Sequence, residues 1–479
     1  MFRLLCALVL SLPLLAHAKP AEHLWYSVLL DGRKIGTFES SRTVKADVVT
    51  TRQLLDIEFD RAGTGISMSS HETSEETLAG EPLRFSSTTR LSGSETRIDG
   101  ELKGDTLHLR VDNAAGSQER QMPWPEGALL AEGLRLASLR MPLQAGTTHR
   151  DLSFQPSNLS AVEVTSTVGK RETVSLPSGR KSLHKVEQVF DFSGTPVRNT
   201  AWVDAERDVY KLTMPAIGVE LTLLECSQSC ATAPNQTSDV FRHTLMQAPR
   251  ALKREETGSS LRYTIAAKGK GAPLEFPQTS EQNVERDGDS LIIEVYRQAR
   301  SGIGEAPGES DYAANDWLQS DAPEIVAMAR GATFGLEDDA ARMQALETFV
   351  RGFITNKSLS VGYASALQIV RKPEGDCTEH AVLLATLGRA LGIATRVVDG
   401  LAYADHFAGR RNVFVPHAWM QAWVDGRWQS YDAALAGFDA GHIAFSSGDG
   451  DPWRFYNGLD LLGRTQLLKI ESTGNATLQ

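Results

Sequence analysis

Cysteine is scarce, with four among 479 residues and one of those, Cys6, in the first ten. That excludes the disulfide-dense class of small secreted scaffolds. Nowhere does the chain carry a run of about eighteen uninterrupted apolar residues, the length a helical membrane span needs. Even AVLLATLGRALGIA is cut by Arg389, so no membrane span is expected. Positive charge is also in short supply, with 49 Lys and Arg against 60 Asp and Glu and a net charge of −11. A chain of that sign is a poor partner for nucleic acid or an anionic membrane surface.

What is present begins with MFRLLCALVLSLPLLAHAKP. A basic Arg3, an apolar run from Leu4 to Leu15 and a small-x-small site at Ala16-His17-Ala18 predict a signal peptide over 1–18, cleaved after Ala18. The mature chain is therefore expected to be secreted or periplasmic, and the short leucine-rich leader points to a bacterial source. Three thiols then remain, Cys226 and Cys230 in ECSQSC and Cys377 alone. In an oxidising compartment the close pair is expected to form a small-loop disulfide. The odd thiol that is left runs the risk of mispairing and oxidation. A reactive role for Cys377 therefore gains ground against a bland core cysteine.

From about residue 20 to 300 the pattern is one of short alternating runs separated by turn residues, which predicts an antiparallel β-rich region, with a boundary near 236 if it forms two subdomains. Asp31-Gly32, Asp99-Gly100 and Gly104-Asp105 read as hairpin turns, and WPEGALLAEGLRLASLRM reads as one helix. The many Ser and Thr residues fit the solvent faces of strands and carry no chemistry. SGIGEAPGESDY, over 301–312, reads as a linker. After it, over 313–479, the period changes from 2 to 3.6 in APEIVAMARGA, LEDDAARMQALETFVRGFITNK and TEHAVLLATLGRALG, the last ending at Gly392 before the strand IATRVVDGLAY. Helices followed by an antiparallel sheet predict an α+β domain.

Cys377 stands at the start of one of these helices, after the Gly375-Asp376 turn. Orphan N–H groups and the positive end of the helix dipole favour a thiolate there, and the Cys377 N–H is placed to face a developing oxyanion. A nucleophile needs a base, and the base an orienting group. HAWMQAWVDGRWQSYDAA offers both. A two-residue turn at Asp425-Gly426 pairs Val424 with Arg427 and puts His417 and Asp432 on one face of the ribbon. His417 would act as general base and acid, with Asp432 fixing its tautomer.

GDCTEHAVLLATLGRALGIATRVVDGL followed by HAWMQAWVDGRWQSYDAA resembles the core of the transglutaminase-like superfamily, whose fold is similar to that of papain. The resemblance covers roughly Ala322 to Asp432. It implies a Cys377-His417-Asp432 triad that performs acyl transfer through a thioester on peptide, protein or other amide substrates, as a hydrolase or a transglutaminase. It also implies a second oxyanion donor, for which Tyr363 and Gln368 are candidates. Nothing in the N-terminal half selects one activity.

Other readings compete. Cys377, His380 and His417 have the residue types of a zinc site, but that reading leaves Asp432 and the hairpin incidental, so no metal or cofactor is expected. His380 reads as a buried pocket histidine, Glu379 as its solvated or hydrogen-bonding neighbour, and Trp419, Trp423 and Trp428 as core or cleft-wall aromatics. A non-catalytic envelope scaffold retaining the fold would have no need of all three triad residues.

Overall fold

The structure, a computed structural model, describes residues 21–61, 64–91, 94–113, 116–192, 195–216, 219–236, 245–268, 274–302, 304–357, 364–435, 437–450 and 465–473. The leader, with Cys6 and its cleavage site, and Tyr363 lie outside the described residues. The chain divides into two compact units, 1–239 and 240–479.

Among the described residues of the first unit, fifteen strands form one sheet, antiparallel except where Ala128–Leu129 lies parallel to Thr148–Gln155. Asp31 (φ 50°) and Gly32 (φ 74°) close the hairpin between Ala21–Leu30 and Arg33–Lys45, the left-handed pair such a turn demands. Gly104 (φ 62°) turns the chain again. Asp99-Gly100, expected as a turn, instead lies inside the strand Ser94–Lys103. Gly100 is there to make room, since a Cβ would stand 2.5 Å from Phe85 Cε1.

Alternate residues of these strands turn inward, and the inward face is mixed in polarity. Ser40, Gln53, Glu72 and Ser87 stand side by side across neighbouring strands, all buried. Ser166, Gln188 and Asn199 make a second buried row. The helix Ala131–Arg140 starts on Glu76, whose carboxylate accepts from Glu132 N at 2.7 Å and Gly133 N at 2.8 Å. Glu132 is itself paired with Arg42 and Arg135. A cavity of about 30 Å³ lies among Thr51, Glu72, Ser74, Ser153 and Phe154, room for one or two waters.

In the second unit, the strands Ser260–Ala267, Gln282–Asp287 and Ser290–Tyr296 join the late strand Thr465–Ser472 in one sheet. The 260–296 stretch thus pairs here and not with the N-terminal sheet. The 301–312 segment is anchored in the same unit. Asp311 takes a bidentate pair from Arg396 at 2.8 and 2.9 Å, and the Glu305 carbonyl accepts from Trp428 Nε1 at 2.9 Å.

Helices span Pro323–Ala332, Asp339–Phe353 and Cys377–Ala390, where the 3.6-residue period places them. The last packs on the strands Thr395–Phe407 and Arg410–Val424. Gly388 allows the close approach, because a Cβ there would lie 2.7 Å from Thr395 Cγ2. Arg427–Tyr431 and His442–Gly448 flank these two strands. Asp425 (φ 52°) and Gly426 (φ 73°) form the tight turn that sets Val424 opposite Arg427 and Met420 opposite Tyr431. The whole is β-rich. Among the described residues no helix is long and apolar enough to cross a membrane.

Candidate active site

Asp376 caps the helix that Cys377 opens. Its carboxylate accepts from Thr378 N at 3.1 Å and from Thr378 Oγ1 at 2.9 Å, while Glu379 reaches back to Asp376 N at 2.9 Å. This is a capping box with an acidic cap, and it leaves the half-buried Cys377 as the first helical residue. Glu379 also accepts from Ala364 N at 3.1 Å. Burial, then the neighbouring Asp376 carboxylate, pushes Glu379 well above the ordinary carboxylate range. Of the two readings of Glu379, solvated or hydrogen-bonding, the second holds: it is fully buried and holds the turn before the thiol.

His380 is buried too, with Nδ1 2.6 Å from the Asp376 carbonyl oxygen. A carbonyl only accepts, so Nδ1 carries the proton. Burial lowers the pKa of His380, which favours the neutral imidazole. Gln368, a candidate oxyanion donor, uses its side-chain oxygen to accept from Ser365 N at 2.9 Å at the start of its own short helix, Ala366–Arg371.

His417 sits in the middle of the sheet opposite Gly400, which has no side chain to crowd it. Its Nε2 donates to Asp432 Oδ2 at 2.8 Å, leaving Nδ1 as the ring nitrogen available for proton transfer. Asp432 follows directly on the strand Arg427–Tyr431. The helix Asp339–Phe353 pins its backbone, since Glu347 accepts from Asp432 N at 2.9 Å and Arg351 donates to its carbonyl at 3.0 Å. Asp432 Oδ1 accepts from Ala434 N and Leu435 N at 2.8 and 3.1 Å. Burial alone would raise the acid, but His417 and then His442 overcome it and hold Asp432 well below the usual carboxylate range. Asp432 is therefore a buried anion with both oxygens satisfied.

The sequence reading missed two groups here. His442, at the start of the next strand, donates from Nε2 to the same Asp432 oxygen at 3.1 Å. Glu281 lies behind the ribbon and binds Ser430 through its N–H, at 2.8 Å, and its hydroxyl, and Gln421 Nε2 at 3.1 Å; burial pushes it up to about 7. Ser430 also accepts from Trp419 Nε1 at 3.2 Å, and the Trp419 ring lies 6.2 Å from His417, nearly parallel. Trp419 and Trp428 are buried, as expected of core aromatics. In AGFDAGHIAF the one available hint was a lone histidine opening an apolar run, which no local rule links to Asp432.

The donor atoms of His417, Asp432 and His442 lie within 4.8 Å of one another. One nitrogen of each histidine, Nε2, is already paired with the carboxylate, so these three groups are joined by hydrogen bonds. In the first unit, Cys226 and Cys230, expected as a disulfide, are both thiols, with Ser27 Oγ 3.4 Å from one sulfur and 3.6 Å from the other.

Residues 326–433 match the family model of the transglutaminase-like superfamily. This segment is a transglutaminase-like domain. Cys377, His417 and Asp432 all fall within it. Among solved structures, the chain is similar to a candidate cysteine protease from Cytophaga hutchinsonii, at 13% identity, covering 47% of this chain and 85% of that one with a TM-score of 0.29. It is similar also to a β-barrel-like protein of a domain of unknown function from Brucella abortus, at 15% identity over 44% and 98% of the two chains, TM-score 0.36. A third likeness is to a structure described as a TGase, at 12% identity over 33% and 44%, TM-score 0.19. No curated protein matches the chain.

Proposed function

We propose that the protein is an exported thiol acyltransferase or hydrolase acting on peptide or other amide substrates, with Cys377 as nucleophile, His417 as general base and acid, and Asp432 as the group that orients His417. The observation that carries this reading is the 2.8 Å bond from His417 Nε2 to a fully buried Asp432 carboxylate, in the same transglutaminase-like domain as a cysteine at the first position of a helix. The domain would be an α+β unit of papain-like fold. Export rests on the leader over 1–18.

In the proposed reaction His417 Nδ1 takes the Cys377 proton, and the thiolate sulfur attacks the amide carbonyl carbon. The oxyanion collapses to a thioester as the C–N bond breaks, and the imidazolium returns its proton to the leaving amine. Water or a second amine then attacks the thioester with His417 again as base, and Cys377 is restored as a thiol. Asp432 keeps one tautomer of His417 throughout and offsets the charge of the imidazolium.

A thiol-reactive activity probe applied to the purified protein tests the reading. Labelling is expected at Cys377 and is expected to vanish in His417→Ala. A Cys377 that stays unlabelled, or that labels equally in the variant, would make the domain a scaffold.

A further inference from the structure

We propose that His442 is a positioning residue of this site: it donates from both ring nitrogens, to Asp432 on one side and Asp439 on the other, and so clamps the Asp432 carboxylate toward His417. The inference rests on the acyl-transfer reading above. His442 stands opposite Ala402 and is 3% exposed. Its Nε2 lies 3.1 Å from Asp432 Oδ2, and its Nδ1 lies 3.1 Å from both Asp439 Oδ1 and the Asp439 carbonyl oxygen. These oxygens can only accept, and a neutral imidazole has a single N–H to give. Two carboxylate partners therefore call for the imidazolium. The Asp439 N–H also approaches Nδ1, at 3.4 Å, but the two oxygens are nearer and one of them is charged.

The surroundings agree. Burial opposes the charge, yet the hydrogen bonds to Asp432 and Asp439 outweigh it and raise His442 to about 9. The rings of His417, Trp419 and Phe438 face it at 5.6, 5.2 and 5.0 Å between centroids. Glu281, pushed up to about 7 by burial, also interacts with its charge. Oδ2 of Asp432 is thus shared by two imidazoles. The rear one fixes the carboxylate, and its positive charge weakens the pull of Asp432 on a protonated His417.

Two variants separate the hydrogen bond from the charge. His442→Gln keeps a donor near Nε2 and removes the charge, whereas His442→Phe keeps the bulk and removes the donor. The rate of Cys377 alkylation by iodoacetamide is measured on the full chain from pH 5 to 10, with Cys377→Ser as the blank. In His442→Gln the upper limb of the profile is expected to move to higher pH by about half a unit to one unit. In His442→Phe the maximum is expected to fall about tenfold or more. Profiles that do not move in either variant overturn the clamp, and so does a wild-type profile that changes with EDTA, because a cation would then join the three groups. The clamp also has a readout independent of the acyl-transfer reading. Nitrogen-15 NMR of the His442 ring at pH 8 is expected to show both nitrogens protonated, in the wild type and in His417→Ala alike, and a single protonated nitrogen overturns it. Alkylation of Cys377 that ignores His417→Ala defeats the acyl-transfer reading instead.

Discussion

Gly375 and Glu379 are packed so closely that a Cβ on the glycine would fall 2.5 Å from Glu379 Cβ and 2.6 Å from its Oε2. The glycine is also left-handed, at φ 154°. Both facts keep the capping glutamate over the turn that presents Cys377. Gly375→Ala is expected to destabilise the domain by about 1–3 kcal/mol through strain and displacement of Glu379. It is expected to slow thiol labelling beyond what the unfolded fraction explains. Urea unfolding and labelling of the same sample check both, and an unchanged labelling rate would refute the link between the cap and the thiol.

Asp432→Asn removes charge while keeping shape. The introduced carboxamide could still accept from Ala434 N and Leu435 N, but it would face two imidazole N–H groups with a donor or a weaker acceptor. Labelling of Cys377 is expected to fall by about 10²-fold or more, the scale of losing an organised general base. A loss under about threefold, small on that scale, would show that His417 is oriented by something else.

The pairing of His442 sets a pH window for stability. Its folded value is about 9 against an ordinary value near 6.5. The stabilisation it contributes is complete below about pH 6.5 and is lost as pH rises through 9. Its size is on the order of 3 kcal/mol at about 1.4 kcal/mol per pKa unit. The melting temperature of the transglutaminase-like domain is expected to fall across that interval in wild type and to be flatter in His442→Gln. Parallel curves for the two proteins would contradict the assignment.

The three thiols should differ sharply in reactivity. Burial pushes Cys226 up to about 11, whereas Cys377 opens a helix. In reduced protein at neutral pH, iodoacetamide is expected to modify Cys377 well before Cys226. Under oxidising conditions Cys226 and Cys230, both beside Ser27, are expected to join, lowering the unreduced mass by about 2 Da. Peptide mapping checks both, and a disulfide involving Cys377 would count against its role.

Local rules made much of this legible. Asp425-Gly426 required a two-residue turn, and that turn carried the register that brings His417 and Asp432 onto one face. The helix opened by Cys377 followed from the apolar period and the Gly375-Asp376 turn before it. The same rules misread Asp99-Gly100, where the glycine answers to the Phe85 ring on the next strand and not to a turn. They were silent on His442, Glu281 and the pairing of the 260–296 strands with the C-terminal strand, because each depends on contacts across long stretches of chain. Of the two readings of Glu379, solvated or hydrogen-bonding, the pattern of the sequence could not choose, because its partners Ala364 N and Asp376 N are backbone groups brought there by the fold.

The buried rows Ser40–Gln53–Glu72–Ser87 and Ser166–Gln188–Asn199 have a calorimetric consequence. Heat capacity rises when apolar surface meets water and falls when polar surface does. A sheet whose inner face carries amides, hydroxyls and a carboxyl should therefore unfold with a heat-capacity increment below the usual ~12–15 cal/mol/K per residue. The N-terminal unit would then hold a broad, weakly curved stability profile that loses little on cooling.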